Sequence, residues 1–257
     1  MNAFANIKTI TKRELVAYFA SPLAYVILVI FLLLCSGFTF FVQSGAGTYF
    51  GRGDASLTTF FMWHPWFYLF LVPAVGMRLW AEERRVGTFE LLMTMPITAW
   101  QAIVGKFLAS WIFLGLALLL TVPLWITTNY LGNPDNGVIF AAYLGSWLMA
   151  GSYLAISCIM SAITRSQVVS FILALVACLV LIFCGFPPVI DFLSQGFLGS
   201  FASHPWFVNA VASMSVMTHF EGFQKGVLDS RDLIYFLSVI VFSLFTTSVI
   251  LRGHRAG

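Results

Sequence analysis

Charged residues make up only 9% of these 257 positions, so the places where they gather are where chemistry or recognition could occur. The densest gathering is Arg78 to Pro96, R-L-W-A-E-E-R-R-V-G-T-F-E-L-L-M-T-M-P, which holds Arg78, Arg84, Arg85, Glu82, Glu83 and Glu90. Uncharged runs of membrane-spanning length flank it, so the segment belongs in water or against another protein. Gly87 breaks the chain after the arginine pair, and Thr88 can cap a helix that starts at Phe89. Phe89, Leu92 and Met93 would share one face of that helix, and Pro96 closes it. An apolar ridge edged by Glu82, Glu83, Arg84, Arg85 and Glu90 suits insertion into a groove on a soluble protein. The plainer alternative is a helix resting on lipid headgroups.

Other candidates for chemistry are weaker. His-Pro-Trp-Phe occurs at 64–67 and again at 204–207 with unlike flanks, and reads as two helix-start turns with aromatic anchors rather than a ligand or metal site. His219, in T-H-F-E-G-F, could lie near His204, but no H-E-x-x-H or comparable metal spacing occurs. Cys35, Cys158, Cys178 and Cys184 sit in or beside apolar runs without a C-x-x-C pair. They read as small buried hydrophobes, with a Cys178–Cys184 disulfide as the lesser alternative. No G-x-x-x-x-G-K-[ST] is present, so the chain does not bind ATP by that route, and neither G-x-S-x-G nor a membrane aspartate pair supports proteolysis. The apolar runs are expected to carry no charged residue deep within them. That argues against a self-powered carrier and for a passive subunit moved by energy supplied elsewhere.

The elements that would position the polar segment follow from hydropathy. At 60% hydrophobic and 17% aromatic, the chain reads as an all-α integral membrane protein. Its scattered basic residues disfavour nucleic acid. Asn2 to Ala20 predicts a helix lying in the membrane interface, with Lys8, Lys12, Arg13 and Glu14 among apolar residues. Six spans are expected at about 22–42, 60–80, 104–128, 138–164, 167–187 and 233–251. The first is too long for a signal-peptide core and lacks an A-x-A site, so it is read as retained. Gln43 to Thr59 reads as a loop, and 189–232, apolar but broken by Gly and Pro, as short helices dipping into the outer leaflet. In the fourth span Ala142, Ser146 and Ala150 recur every four residues, as do Ala141–Gly145 and Gly151–Ala155, which predicts a centrally packed helix. With both termini cytoplasmic, ten Lys and Arg face inward and three, Arg52, Lys225 and Arg231, face outward.

The pattern E-E-R-R-x-G-T-x-E-L-L-x-x-x-P-I from Glu82, followed by Gly105-Lys106, resembles ABC-2-type ABC transporter permeases. Its flavour is that of the gliding-motility and copper-enzyme-maturation branch, which the stretch His219 to Phe236 also resembles. The resemblance covers nearly the full length as a single transmembrane domain. It implies an N-terminal interfacial helix, six spans, a cytoplasmic coupling helix within 78–97 and membrane-dipping outer helices before the last span. It further implies a multi-pass protein of the inner membrane that is not an enzyme and holds no cofactor. Two copies of a separate ABC ATP-binding subunit would carry the ATP and Mg. A second permease copy or a related permease, membrane lipid and an auxiliary subunit with an extracytoplasmic domain complete the implied partners. Carried over by position, Glu82, Glu83, Arg84, Gly87, Thr88, Glu90, Leu91, Leu92 and Pro96 would contact the ATPase, and Arg165 would form a second, short cytoplasmic contact. The implied work is export of a substrate, or mechanical work on an extracytoplasmic partner. A carrier or channel not coupled to ATP is the alternative, and a membrane-bound enzyme is disfavoured by the missing acid–base and metal constellations.

Overall fold

A chain this apolar has few polar side chains with which to bond its own backbone, and a helix satisfies every N–H and C=O within one segment. The structure, a computed structural model, describes residues 3–41, 49–52, 55–88, 97–194 and 205–253, and among these every regular element is a helix. In chain order they are α1 (Ala3–Ala20), α2 (Pro22–Phe40), α3 (Tyr49–Arg52), α4 (Thr58–Gly76), α5 (Arg78–Val86), α6 (Ala99–Leu119), α7 (Val122–Leu131), α8 (Asn136–Ile163), α9 (Gln167–Phe183), α10 (Pro187–Ser194), α11 (Pro205–Ser213), α12 (Val216–Gln224) and α13 (Ser230–Gly253).

Among the described residues five stretches are long and apolar enough to cross a membrane: Pro22–Phe40, Thr58–Val86, Ala99–Leu131, Asn136–Ile163 and Ser230–Gly253. The run expected as a further span is α9, apolar but only 17 residues long. At 1.5 Å per residue it reaches about 25 Å, short of a hydrocarbon core of about 30 Å. The stretch expected as one helix at 104–128 is two, α6 and α7, joined by a turn at Leu120 and Thr121. There the Thr121 hydroxyl bonds the Leu118 carbonyl at 2.6 Å and meets the Tyr143 hydroxyl at 2.9 Å. Pro123 therefore falls in the first turn of α7, where a missing N–H costs nothing. The expected loop 43–59 contains the short helix α3 and the first residues of α4.

His64 corrects another expectation. It does not mark a helix start: α4 begins at Thr58, and His64 lies fully buried inside it, among Phe31, Phe60, Phe61 and Tyr68. The helix continues through Pro65 because the backbone group that Pro65 frees finds another donor. Pro65 has no N–H for the Phe61 carbonyl four residues back, and the Gln224 side chain of α12 donates to that carbonyl instead, at 3.3 Å.

The centre of the bundle is α8, which touches α4, α5, α6, α9, α12 and α13. Its stripe of small residues is buried, as the four-residue spacing predicts. A Cβ on Gly145 would come within 2.5 Å of the Phe223 ring of α12. On the α6 side the contact is reciprocal. Trp111 and Trp147 stack at 4.3 Å with 13° between planes, and each indole N–H donates to the other residue's carbonyl, at 3.0 and 3.4 Å. Each tryptophan is followed four residues later by a glycine, and each glycine lies under the opposite indole. A Cβ on Gly115 would sit 2.9 Å from Trp147 Nε1, and one on Gly151 2.7 Å from Trp111 Nε1. Two W-x-x-x-G stretches thus clasp α6 to α8. Gly151→Ala should unstack the pair at a cost of about 1–3 kcal/mol. The readouts are thermal unfolding and loss of the paired-indole exciton signal in circular dichroism. Gly37→Ala, where a Cβ meets nothing within 4 Å, should leave both unchanged.

Candidate functional site

At one end of the bundle α1 lies along α6. Thr98 and Gln101 cap α6 reciprocally, and Gln101 also accepts from Asn6 of α1 at 3.2 Å. Thr11 donates to the Gly105 carbonyl at 3.1 Å, and the Tyr18 and Ser110 hydroxyls meet at 2.8 Å. The approach is close because residue 105 is glycine: a Cβ there would fall 2.7 Å from Ile10 Cγ2.

Lys106 follows, two residues inside the start of the span expected at 104–128, and the protein covers it instead of leaving it solvated. It sits inside α6 at 4% exposure. Its Nζ lies 2.8 Å from Glu83 Oε1 of α5 and 3.3 Å from Glu14 Oε1 of α1, with the Trp80 ring centroid 5.6 Å away. Burial alone pushes the Glu14 carboxyl up, but the Lys106 ammonium, with Arg13 beside it, outweighs burial and holds Glu14 below its ordinary value. Three helices that are distant in sequence therefore share one ammonium. Around it is a cleft of about 230 Å³ lined by Glu14, Tyr18, Ser21, Arg78, Glu82 and Lys106. Arg78 Nη1 reaches Ser21 Oγ at 3.4 Å, while Arg78 Nε and Glu83 Oε2 are buried without a hydrogen-bond partner.

The polar segment begins as a continuation of α4, interrupted at Met77, and its first turn faces inward: Leu79, Trp80 and Ala81 are buried. At the interruption Ser161 of α8 serves the backbone groups. Its hydroxyl accepts from the Trp80 and Ala81 amides, both at 3.0 Å, and donates to the Met77 carbonyl at 3.0 Å. One residue on, the Ala162 carbonyl accepts from the Arg84 guanidinium. Gly87 ends α5 with φ of 80°, a left-handed conformation that glycine adopts without strain. The Thr88 hydroxyl turns back to the Glu83 carbonyl at 3.4 Å.

Of the residues carried over by resemblance, Glu82, Glu83, Arg84, Gly87 and Thr88 cluster on or beside α5. Arg165, in the turn between α8 and α9, lies close enough to Arg84 for their charges to repel. Glu90, Leu91, Leu92 and Pro96, and with them the helix expected from Phe89, lie outside the described residues. The sequence pattern does not single out Glu14 or Ser161 for this site, and Lys106 stands in it only beside Gly105 at the start of an uncharged run. The signal that could have found Lys106 is the small-residue stripe Ala102, Gly105 and Ala109, which marks the face of α6 that another helix must cover. Among the described residues no group of three or more His, Cys, Asp or Glu is placed to hold a metal. The four cysteines are free, and Cys35, Cys158 and Cys178 are buried.

Membrane-length helices packed around α8, with a charge cluster tying two of them to α1 at one end, define a multi-pass helical membrane protein. Its residues 9–227 match the family described as ABC-2 family transporter protein, and the chain belongs to that family. Comparison with curated proteins gave no match. Members of the family are membrane components of transport systems, not catalysts themselves, and generally work with an ATP-binding subunit.

Lys106→Met should leave the buried Glu83 carboxylate without its cation and Glu14 with Arg13 alone, at a cost of about 3 kcal/mol. Thermal unfolding, together with faster amide exchange over residues 3–20, measures it. In the native chain the lowered Glu14 value fixes the sign with pH. Stability from this tie is present above the ordinary carboxylate value and is lost as pH falls through the lowered one, so α1 should stay docked at pH 5 and loosen only in stronger acid. Ser161→Ala strands two buried amides and should destabilise the fold by about 2 kcal/mol or more, read by the same melting experiment.

Proposed function

We propose that the chain is the permease subunit of an ABC transporter in the gliding-motility and copper-enzyme-maturation branch. A separate ATPase, present in two copies and carrying the ATP and Mg, acts on it through the segment 78–97. The observation that carries this reading is the attachment of that segment. Its first half, α5, is tied to α8 through Ser161, to α6 through Lys106 and to α1 through the same ammonium. A force applied beyond Gly87 is thereby delivered to the central helix, the third span and the interfacial helix together. The nearness of Arg84 and Arg165 supports a single docking face made of both expected contacts.

In this reading α9 completes six spans, both termini are cytoplasmic, the membrane is the inner membrane, and a second permease copy or a related permease completes the pore or lever. The ten-to-three bias of Lys and Arg supports that orientation. The output is export of a substrate, or mechanical work passed to an auxiliary subunit with an extracytoplasmic domain. Glu82→Ala combined with Leu92→Ala should leave membrane insertion and thermal stability intact, because neither residue belongs to the Lys106 ion pairs. Reconstituted with its ATPase, this variant should reduce permease-stimulated ATP hydrolysis to the rate of the ATPase alone. Normal stimulation would refute the coupling role.

A further inference from the structure

At the end of the bundle opposite Lys106, α11, α12 and the first turn of α13 meet around one imidazole. His219 of α12 points Nδ1 at Asp232 Oδ1, 2.6 Å away, and Nε2 at the carbonyl of Ser213, 3.0 Å away. Ser213 is the last residue of α11. The Tyr235 ring lies flat on the imidazole, with centroids 4.0 Å apart and planes 20° apart, and its hydroxyl donates to the Met214 carbonyl. The other Asp232 oxygen rests over Gly222, where a Cβ would come within 2.7 Å. Both groups are largely shielded, with side chains 18% and 16% exposed.

A backbone carbonyl can only accept a hydrogen bond, and so can an ionised carboxylate, whereas a neutral imidazole has a single N–H. Making both contacts at once therefore requires two protons on the His219–Asp232 pair. They sit either as imidazolium facing carboxylate, or as a carboxylic acid donating to Nδ1 while Nε2–H donates to Ser213; the proton count is the same. When one proton leaves, the remaining N–H is drawn to the carboxylate, the stronger acceptor. Nε2 then turns a lone pair toward the Ser213 oxygen. We infer that the His219–Asp232 pair is a proton-operated latch that holds the C-terminal end of α11 when doubly protonated and releases it when one proton is lost.

The elements around the pair suit that division. Phe220 and Phe223 bury α12 in the bundle, against α8, whereas α11 meets chiefly α10 and α12. Release would therefore loosen the C-terminal end of α11, then held from α12 and α13 by the Thr218 and Tyr235 hydroxyls, while α12 stays. The nearby ionisable groups are Glu221 on α12 and Lys225 just past its end, paired with each other and exposed, Asp229 before α13, and Arg231 and Tyr235 on it. Asp191 lies on α10 and Cys184 in the turn before it, while α4, α8, α9 and α11 carry no Asp, Glu, Lys or Arg. Imidazole is the side chain whose charge ordinarily changes between about pH 5 and pH 8. On the proposed orientation the latch reads the pH outside the cytoplasm, but its operation does not depend on that orientation.

Amide exchange of the full chain in nanodiscs, open to solvent on both faces and corrected for intrinsic rates, tests it between pH 5 and pH 8. Peptides from 205–215 should exchange about tenfold faster at the upper end, the scale of one hydrogen bond, with 216–224 unchanged. His219→Gln should abolish this dependence. Asp232→Asn should keep α11 protected even at pH 8, because the amide can donate to Nδ1 and leave Nε2–H for Ser213. A flat wild-type profile, or a dependence that survives His219→Gln, overturns the latch.

Discussion

A buried ammonium must have its charge matched within a few ångströms, and in this protein that demand decides where three segments meet. Lys106 sits on α6 because Gly105 lets α1 approach, and once there it needs more than water can supply. Glu14 from α1 and Glu83 from α5 provide the match. Withdrawing a charge from water costs several kcal/mol, so the arrangement is a weak source of net stability and a strong source of registry. Neither α1 nor α5 can slide along α6 without stranding a charge. Lys106 thereby holds α1 and the start of the polar segment to α6 together.

The rest of the fold is organised around α8. Close approach around α8 rests on small residues, with Gly145 under Phe223 and Gly151 under Trp111, so the hub is stiff where it touches α6 and α12. In hydrocarbon, apolar side chains gain little by meeting one another, and packing and interhelical hydrogen bonds decide which helices stay together. The tyrosine hydroxyls supply such bonds between helices: Tyr18 to Ser110, Tyr68 to Ser146 and Tyr143 to Thr121. The first two each join two helices at one point, and the third joins α8 to the turn between α6 and α7. Two of the three converge on α8, which makes it the element most motions must go through or around.

Hydropathy made the long helices and the centrality of α8 legible, because uncharged runs and a four-residue spacing of small side chains are sequence properties. The charged island was legible for the same reason. What was not legible is which charges the fold would bury. Lys106 stands at the start of an uncharged run, and nothing in its neighbours names Glu14 or Glu83 as partners. Pro65 misled the reading of His64, because a proline suggests a helix start unless some distant donor serves the freed carbonyl. That donor, Gln224, lies far along the chain. The turn at Leu120 and Thr121 was hidden as well, since hydropathy reports how apolar a segment is but not whether its backbone runs straight.

Ser161 shows how these strands of argument join. The helix interrupted at Met77 has amides and a carbonyl there that bond outside its own ladder. A single hydroxyl on the neighbouring hub serves all of them. That arrangement holds only while α5 stays against the end of α8, near Ala162. Movement of the polar segment must then either carry α8 with it or break three hydrogen bonds at once.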